Sequence, residues 1–160
     1  MKTQVTKELE KLLERKFDSR NDFFVFECTY GWCGTEIVDC IKYNCQREVS
    51  CYEIKQSLQD FHSKNTLSFF GNKNYFVMPH SLYEKVKQEI FINYPNIGVL
   101  VPIKTPEIGD KNYEYDVYDQ LLCVKTAKKQ QLKADKEVIL SSMLRCMQRD
   151  LNRGRRFEYE

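Results

Sequence analysis

The segment "VSCYEIK", residues 49–55, has the β-branched and aromatic character of a strand, yet it carries a carboxylate and an ammonium two residues apart, Glu53 and Lys55. Side chains alternate along a strand, so Glu53, Lys55 and Cys51 share one face. Two charges on a face of an inner strand are costly unless something compensates them. The preceding candidate strand, "TEIVDCIKY" (35–43), is separated from this one by the polar turn "NCQRE", which suits a hairpin. If the hairpin closes symmetrically about Gln46, paired residue numbers sum to 92 and Glu53 faces Asp39. Directly opposed side chains have Cβ atoms about 4.5–5.5 Å apart, where two carboxylates repel.

A divalent cation between them resolves that repulsion. Oxygen-only ligands favour Mg²⁺ or Mn²⁺ over zinc, and Mg²⁺ commonly takes one or two carboxylates, leaving its other positions to water and phosphate. Lys55 completes a phosphodiester-cleaving set, because its compact ammonium can hold a phosphate oxygen, stabilise charge in the transition state or orient a water. The plain alternative is a surface ion pair between Glu53 and Lys55, with Asp39 a solvated strand residue.

These residues need a frame. Val5, Leu9, Leu12 and Leu13 recur at helical spacing and predict an amphipathic helix from Thr3 to about Lys16. "DFFVFECTY" (22–30) reads as a strand ended by "GWCG", followed by the two hairpin strands. "SLQDFHSK" has a short helical pattern, and "NYFVMP" (74–79) is a fourth strand. "SLYEKVKQEIF" (81–91) reads as a helix with Ser81 and Glu84 in capping-box spacing. "IGVLVP" (97–102) is a strand of the kind buried on both faces. After a polar loop (104–115), "VYDQLLCVKTA" reads as an edge strand and a long helix ends the chain. In that helix a stripe advances by four from Val138/Ile139 to Asp150/Leu151. The order is α-β-β-β-α-β-α-β-β-α, an α/β (α+β) domain with a central mixed sheet of five or six strands flanked by helices. At 160 residues the chain fits one domain, 1–160.

"EIVDCIKYNCQREVSCYEIKQSLQDFHS", followed by "KNYFVMP" and "IGVLV", resembles the PD-(D/E)XK nuclease superfamily, with its restriction-endonuclease-like fold, and looks most like the MmcB-like DNA-repair branch. There an Asp on one strand precedes Glu-any-Lys on the next. A Ser and an Asp-Phe pair follow in a short helix, then an aromatic strand ending in Pro and a Gly-led strand. The resemblance covers roughly residues 24 to 103 and implies that Asp39 and Glu53 are metal ligands and Lys55 the catalytic lysine. Val38 stands where the superfamily name has Pro. The implied activity is Mg²⁺- or Mn²⁺-dependent hydrolysis of DNA, in repair, recombination or phage and host DNA processing. The alternative is a non-catalytic nucleic-acid-binding or accessory module with the same fold. Many members add a Glu from the first helix. Glu8 is the candidate, because it borders the apolar stripe, whereas Glu10 and Glu14 point away. Glu36, out of phase with Asp39, should face the other way.

Net charge is +2, but residues 125–156 hold ten Lys and Arg against three Asp and Glu, a local +7. A basic last helix on a near-neutral body suits a polyanion such as DNA, with Arg145, Arg149 and Arg153, and beyond them Arg155 and Arg156, as phosphate contacts. Trp32 and Tyr30, in the glycine loop, could stack on a base or serve to anchor that loop. His62 and His80 stand in no ligand spacing. The seven cysteines show no two-residue pair spacing and read as reduced thiols, with a cluster of Cys28, Cys33, Cys40, Cys45 and Cys51 around a metal as the alternative. No signal-peptide core and no run long enough to span a membrane are visible, so the expected location is the cytoplasm, with a homodimer compatible.

Overall fold

The computed structural model describes residues 2–104 and 118–158. Helix α1 (Gln4–Lys16) starts where Thr3 accepts a hydrogen bond from the Thr6 amide, and it buries Leu9, Leu12 and Leu13. Each such leucine contributes about 1.5–3 kcal/mol of apolar burial. Strands β1 (Asp22–Thr29), β2 (Ile37–Asn44) and β3 (Val49–Ile54) form an antiparallel meander. Short helix α2 (Leu58–Phe61) leads to β4 (Lys73–Val77), which pairs parallel with β3. Helix α3 (His80–Asn93) leads to β5 (Gly98–Ile103), parallel to β4, and β6 (Gln120–Lys125) closes the sheet antiparallel to β5. Helix α4 (Lys136–Glu158) completes the order. The six strands lie side by side in sequence order, so the sheet is mixed, with β3 inside it.

Two packed faces bury this sheet. On one, α1 covers Cys40, Tyr52, Ile54, Val77 and Leu121, and Tyr52 stacks on Tyr75 with ring centroids 5.2 Å apart. On the other, α4 sets Ile139, Met143 and Cys146 against Val25, Cys28, Val38, Ile41 and Cys51. Beside them α3 sets Leu82, Val86 and Ile90 against Phe76 and Val99. All six residues of β3 are buried.

Three local expectations change. The Ser81–Glu84 capping box is not formed: α3 begins at His80, and Pro79, with φ −58°, occupies the cap position without a side-chain bond. Proline's fixed φ suits a helix start, and Ser81 falls inside the first turn. The α4 stripe ends early, because Leu151 is 57% exposed. The loop expected at 104–115 lies, from residue 105 on, outside the described residues, as do the side chains of Arg155 and Arg156.

Candidate active site

The hairpin has the register that symmetry about Gln46 requires: Cys40 pairs with Tyr52, Ile41 with Cys51, Lys42 with Ser50 and Tyr43 with Val49. Its turn is fixed by Asn44, whose Oδ1 accepts from the Gln46 and Glu48 amides at 3.1 and 3.0 Å, and by Arg47 in the left-handed region at φ 64°. The next pair in that register is Asp39 and Glu53. There the backbone ladder stops, and the Ile54 amide donates instead to Asp39 Oδ2 at 2.7 Å.

A second irregularity faces Asp39 from the other side. Glu27 on β1 is left-handed, with φ 50°. Face alternation breaks there, so that Val25 and Cys28 both enter the α4 core, as Val38 and Ile41 do on β2. Strain of this kind is found where the surrounding structure determines it, and it concentrates at functional sites.

Glu53 and Lys55 are each only 4% exposed, which removes the surface-ion-pair reading. Glu53 Oε1 accepts from the Ser68 amide at 3.2 Å. Its carboxyl stands near enough to that of Asp39 for the two negative charges to oppose each other. Burial first, and the neighbouring Asp39 charge second, push Glu53 up to about 8. Asp39 is raised as well, mainly by burial, while its Ile54 hydrogen bond and the Lys55 charge oppose the rise. The Lys55 amide donates to Val77 O at 2.9 Å, fixing the residue just past the end of β3.

These groups line a cleft of about 1000 Å³. Six carboxyls and three lysines surround it, the lysines being Lys2, Lys55 and Lys64. With more acids than bases the cleft favours a cation, and an anionic substrate needs one to approach. Lys2 ties the rim together, with Nζ 2.6 Å from Glu10 Oε1 and 3.2 Å from Glu27 Oε1. At the far wall Ser57 Oγ accepts from the Asp60 amide at 3.2 Å, and Asp60 Oδ2 accepts from the Gln56 amide at 3.0 Å. Ser57, Asp60 and Phe61 thus have structural roles: two cap α2, and Phe61 is buried beside Phe76. Asp60 also faces the cleft.

Two expectations about the acids are corrected. Glu8 does not reach this cleft: it lines a separate cavity with Pro79, His80 and Pro102 and is hydrogen-bonded by Gln4. Glu10 is the α1 acid at the site. Both flank the buried leucines, on opposite sides, and the docking of α1 on the sheet decides which flank meets Asp39. Glu36 also lines the cleft, because it precedes β2 and does not follow strand alternation.

Among the described residues no three His, Cys, Asp or Glu side chains converge as a ready-made metal site. The donor set still fits a hard cation, since Mg²⁺ needs only one or two carboxylates, and Asp39 and Glu53 present oxygen donors held by backbone amides. The cysteines are all free thiols, and the grouping considered for a metal is not gathered, as Cys40 and Cys51 lie on opposite faces of the sheet. His62 pairs with Glu89 at 2.8 Å and His80 with Glu84 at 3.8 Å, both away from the acids.

On α4, Arg145 Nη2 donates to Thr29 O at 2.9 Å and Gly31 O at 2.6 Å. Arg149 reaches the carbonyls of Phe26 and Glu27 and pairs with Asp150. Arg153 is exposed. Two of the three guanidiniums therefore brace β1 as well as facing solvent.

No protein-family model matches the chain, and no curated protein matches it. The chain is similar to a solved structure described as the SPO1766 protein of unknown function from Silicibacter pomeroyi, with TM-score 0.69 and 16% identity over 100% of this chain and 97% of that one. That likeness concerns the fold.

Proposed function

We propose that the chain is a Mg²⁺- or Mn²⁺-dependent nuclease of the PD-(D/E)XK superfamily, hydrolysing DNA phosphodiester bonds in repair, recombination or DNA processing. The observation that carries this reading is the pair of neighbouring acids Asp39 and Glu53 lining one acidic cleft together with the buried Lys55. The Asp strand, the Glu-x-Lys strand, the short helix, the aromatic strand and the Gly-led strand also follow in the order that the resemblance requires.

Asp39 and Glu53 would hold the cation, and it would supply charge neutralisation for the phosphodiester and an acidified water. Glu53, pushed up to about 8 chiefly by burial, must first lose its proton, so cation affinity rises with pH. Lys55, held just past the end of β3, would bind a phosphate oxygen and stabilise charge that develops on it. Burial on all sides fixes its stem, so little side-chain freedom is lost when substrate arrives.

The test is cleavage of single-stranded, duplex and branched DNA with Mg²⁺ or Mn²⁺ by wild type and Lys55→Ala. The substitution is expected to lower the rate by about 100-fold or more. Equal cleavage by both proteins would assign the activity to a contaminant. A second reading, a binding module without cleavage, draws on the arginines of α4. It requires salt-sensitive, metal-independent DNA binding that survives Asp39→Ala.

A further inference from the structure

Outside the acid cleft, one surface joins an open aromatic ring to a row of guanidiniums. Trp32, in the loop between β1 and β2, is 80% exposed. It lies against a groove of about 740 Å³ lined also by Leu144, Arg145, Gln148, Arg149 and Arg153 of α4. An exposed indole contributes little to the core, yet α4 holds its loop firmly. Gly31, at φ 79°, has its amide bound by Ser142 Oγ at 2.9 Å and its carbonyl by Arg145. Gly34 allows the close return, because a Cβ there would sit 1.7 Å from Tyr30 O. Tyr30 packs on Phe70, with centroids 5.2 Å apart, and anchors the loop from below. The Arg145 guanidinium has its Nη2 donors turned to backbone carbonyls, and its carbon lies 4.9 Å from the Trp32 ring centroid. The ring is thus supported by a cation rather than buried by a neighbour.

We propose that Trp32 is a stacking platform for an unpaired base of a single-stranded nucleic acid whose phosphates run along Arg149 and Arg153. A rigid aromatic stacks on any base, whereas the faces of a paired base are covered by its neighbours in the duplex. Charge complementarity selects the partner, since the groove lining has three arginines and no acid, Arg149 alone of them being paired with Asp150 beside the lining. The groove and the cleft share no lining residue but are linked through the β1–β2 connection. Thr35 and Glu36 of the same loop line the cleft, as does Ile37 at the start of β2, and the carbonyl of Glu27, another cleft residue, is bound by Arg149. The inference rests on the nucleic-acid reading above for its class of ligand, but not on cleavage.

Trp32 is the chain's one tryptophan, so its emission reports the platform directly. Oligodeoxythymidylate, oligouridylate and a blunt duplex are titrated into the metal-free full chain at low salt; the first two arms separate DNA from RNA. Single strands are expected to quench the emission and the duplex to leave it nearly unchanged. Anisotropy of a labelled strand should show Trp32→Ala weakening binding about tenfold, with Trp32→Phe recovering most of the loss. Arg153→Glu should weaken binding without changing the emission of the free protein. Emission unmoved while the labelled strand binds, or equal affinity for Trp32→Ala, would overturn the proposal. Emission that responds to protein concentration alone would overturn it too, assigning this face to a second copy of the chain. Because no divalent ion is present, a failure to cleave DNA leaves this result standing, and a failure here leaves the acid pair untouched.

Discussion

Glu53 keeps a proton in the folded protein that it would lose in the unfolded chain. Its folded value is about 8, against roughly 4.3 for a free glutamate. Between those values the native state binds more protons than the unfolded state, so the contribution of this residue is greatest below about pH 4 and is lost as pH rises through about 8. In metal-free buffer, the wild-type melting temperature is expected to fall between about pH 5 and pH 8 relative to Glu53→Gln, whose amide does not titrate. Parallel profiles for the two proteins would show that Glu53 is ionised throughout. Asp39, with its Oδ2 bound to the Ile54 amide, tolerates Asn better than Ala, because the amide oxygen of Asn can still accept that bond.

The elements around the site depend on a few buried polar clamps. Asn74, fully buried, receives the Gly71 amide at 2.9 Å and donates to the Gly71 carbonyl at 3.0 Å, shaping the turn that feeds β4 next to β3. Asn74→Ala strands both groups and should cost about 2 kcal/mol or more, read from urea unfolding; a change below about 0.5 kcal/mol would mean that water replaces the side chain. The strands and the hairpin register were legible from sequence, because period-two alternation and a short polar turn determine them locally. Asp39 opposite Glu53 followed from that register. Glu10 was not legible, because residues of α1 on either flank of the leucine stripe look alike until the helix docks. Neither was Glu36, since the start of β2 at Ile37, which frees Glu36 from strand alternation, is not marked in the residue types. The Ser68 contact to Glu53 is made by a backbone amide, which no side-chain motif reveals.

At the scale of the molecule, thiol burial offers an independent check of the packing. Cys28, Cys40, Cys51 and Cys146 are buried and Cys33, Cys45 and Cys123 are exposed. Burial pushes the thiols of Cys28 and Cys51 up to about 12 and that of Cys40 well above its usual range. A thiol reagent should therefore titrate three groups quickly in the native protein and the remaining four only on unfolding; seven fast thiols would contradict both the α1 and the α4 packing. No helix among the described residues is long and apolar enough to cross a membrane. The central claim, that two strand acids beside Lys55 form a seat for a hard cation, is tested most directly by calorimetric titration of Mn²⁺ into wild type and Asp39→Asn at about pH 6 and about pH 8.5. Saturable binding that tightens with pH, releases protons and is lost in the variant is the expected result. Absence of binding at both pH values, or equal binding by Asp39→Asn, would contradict it.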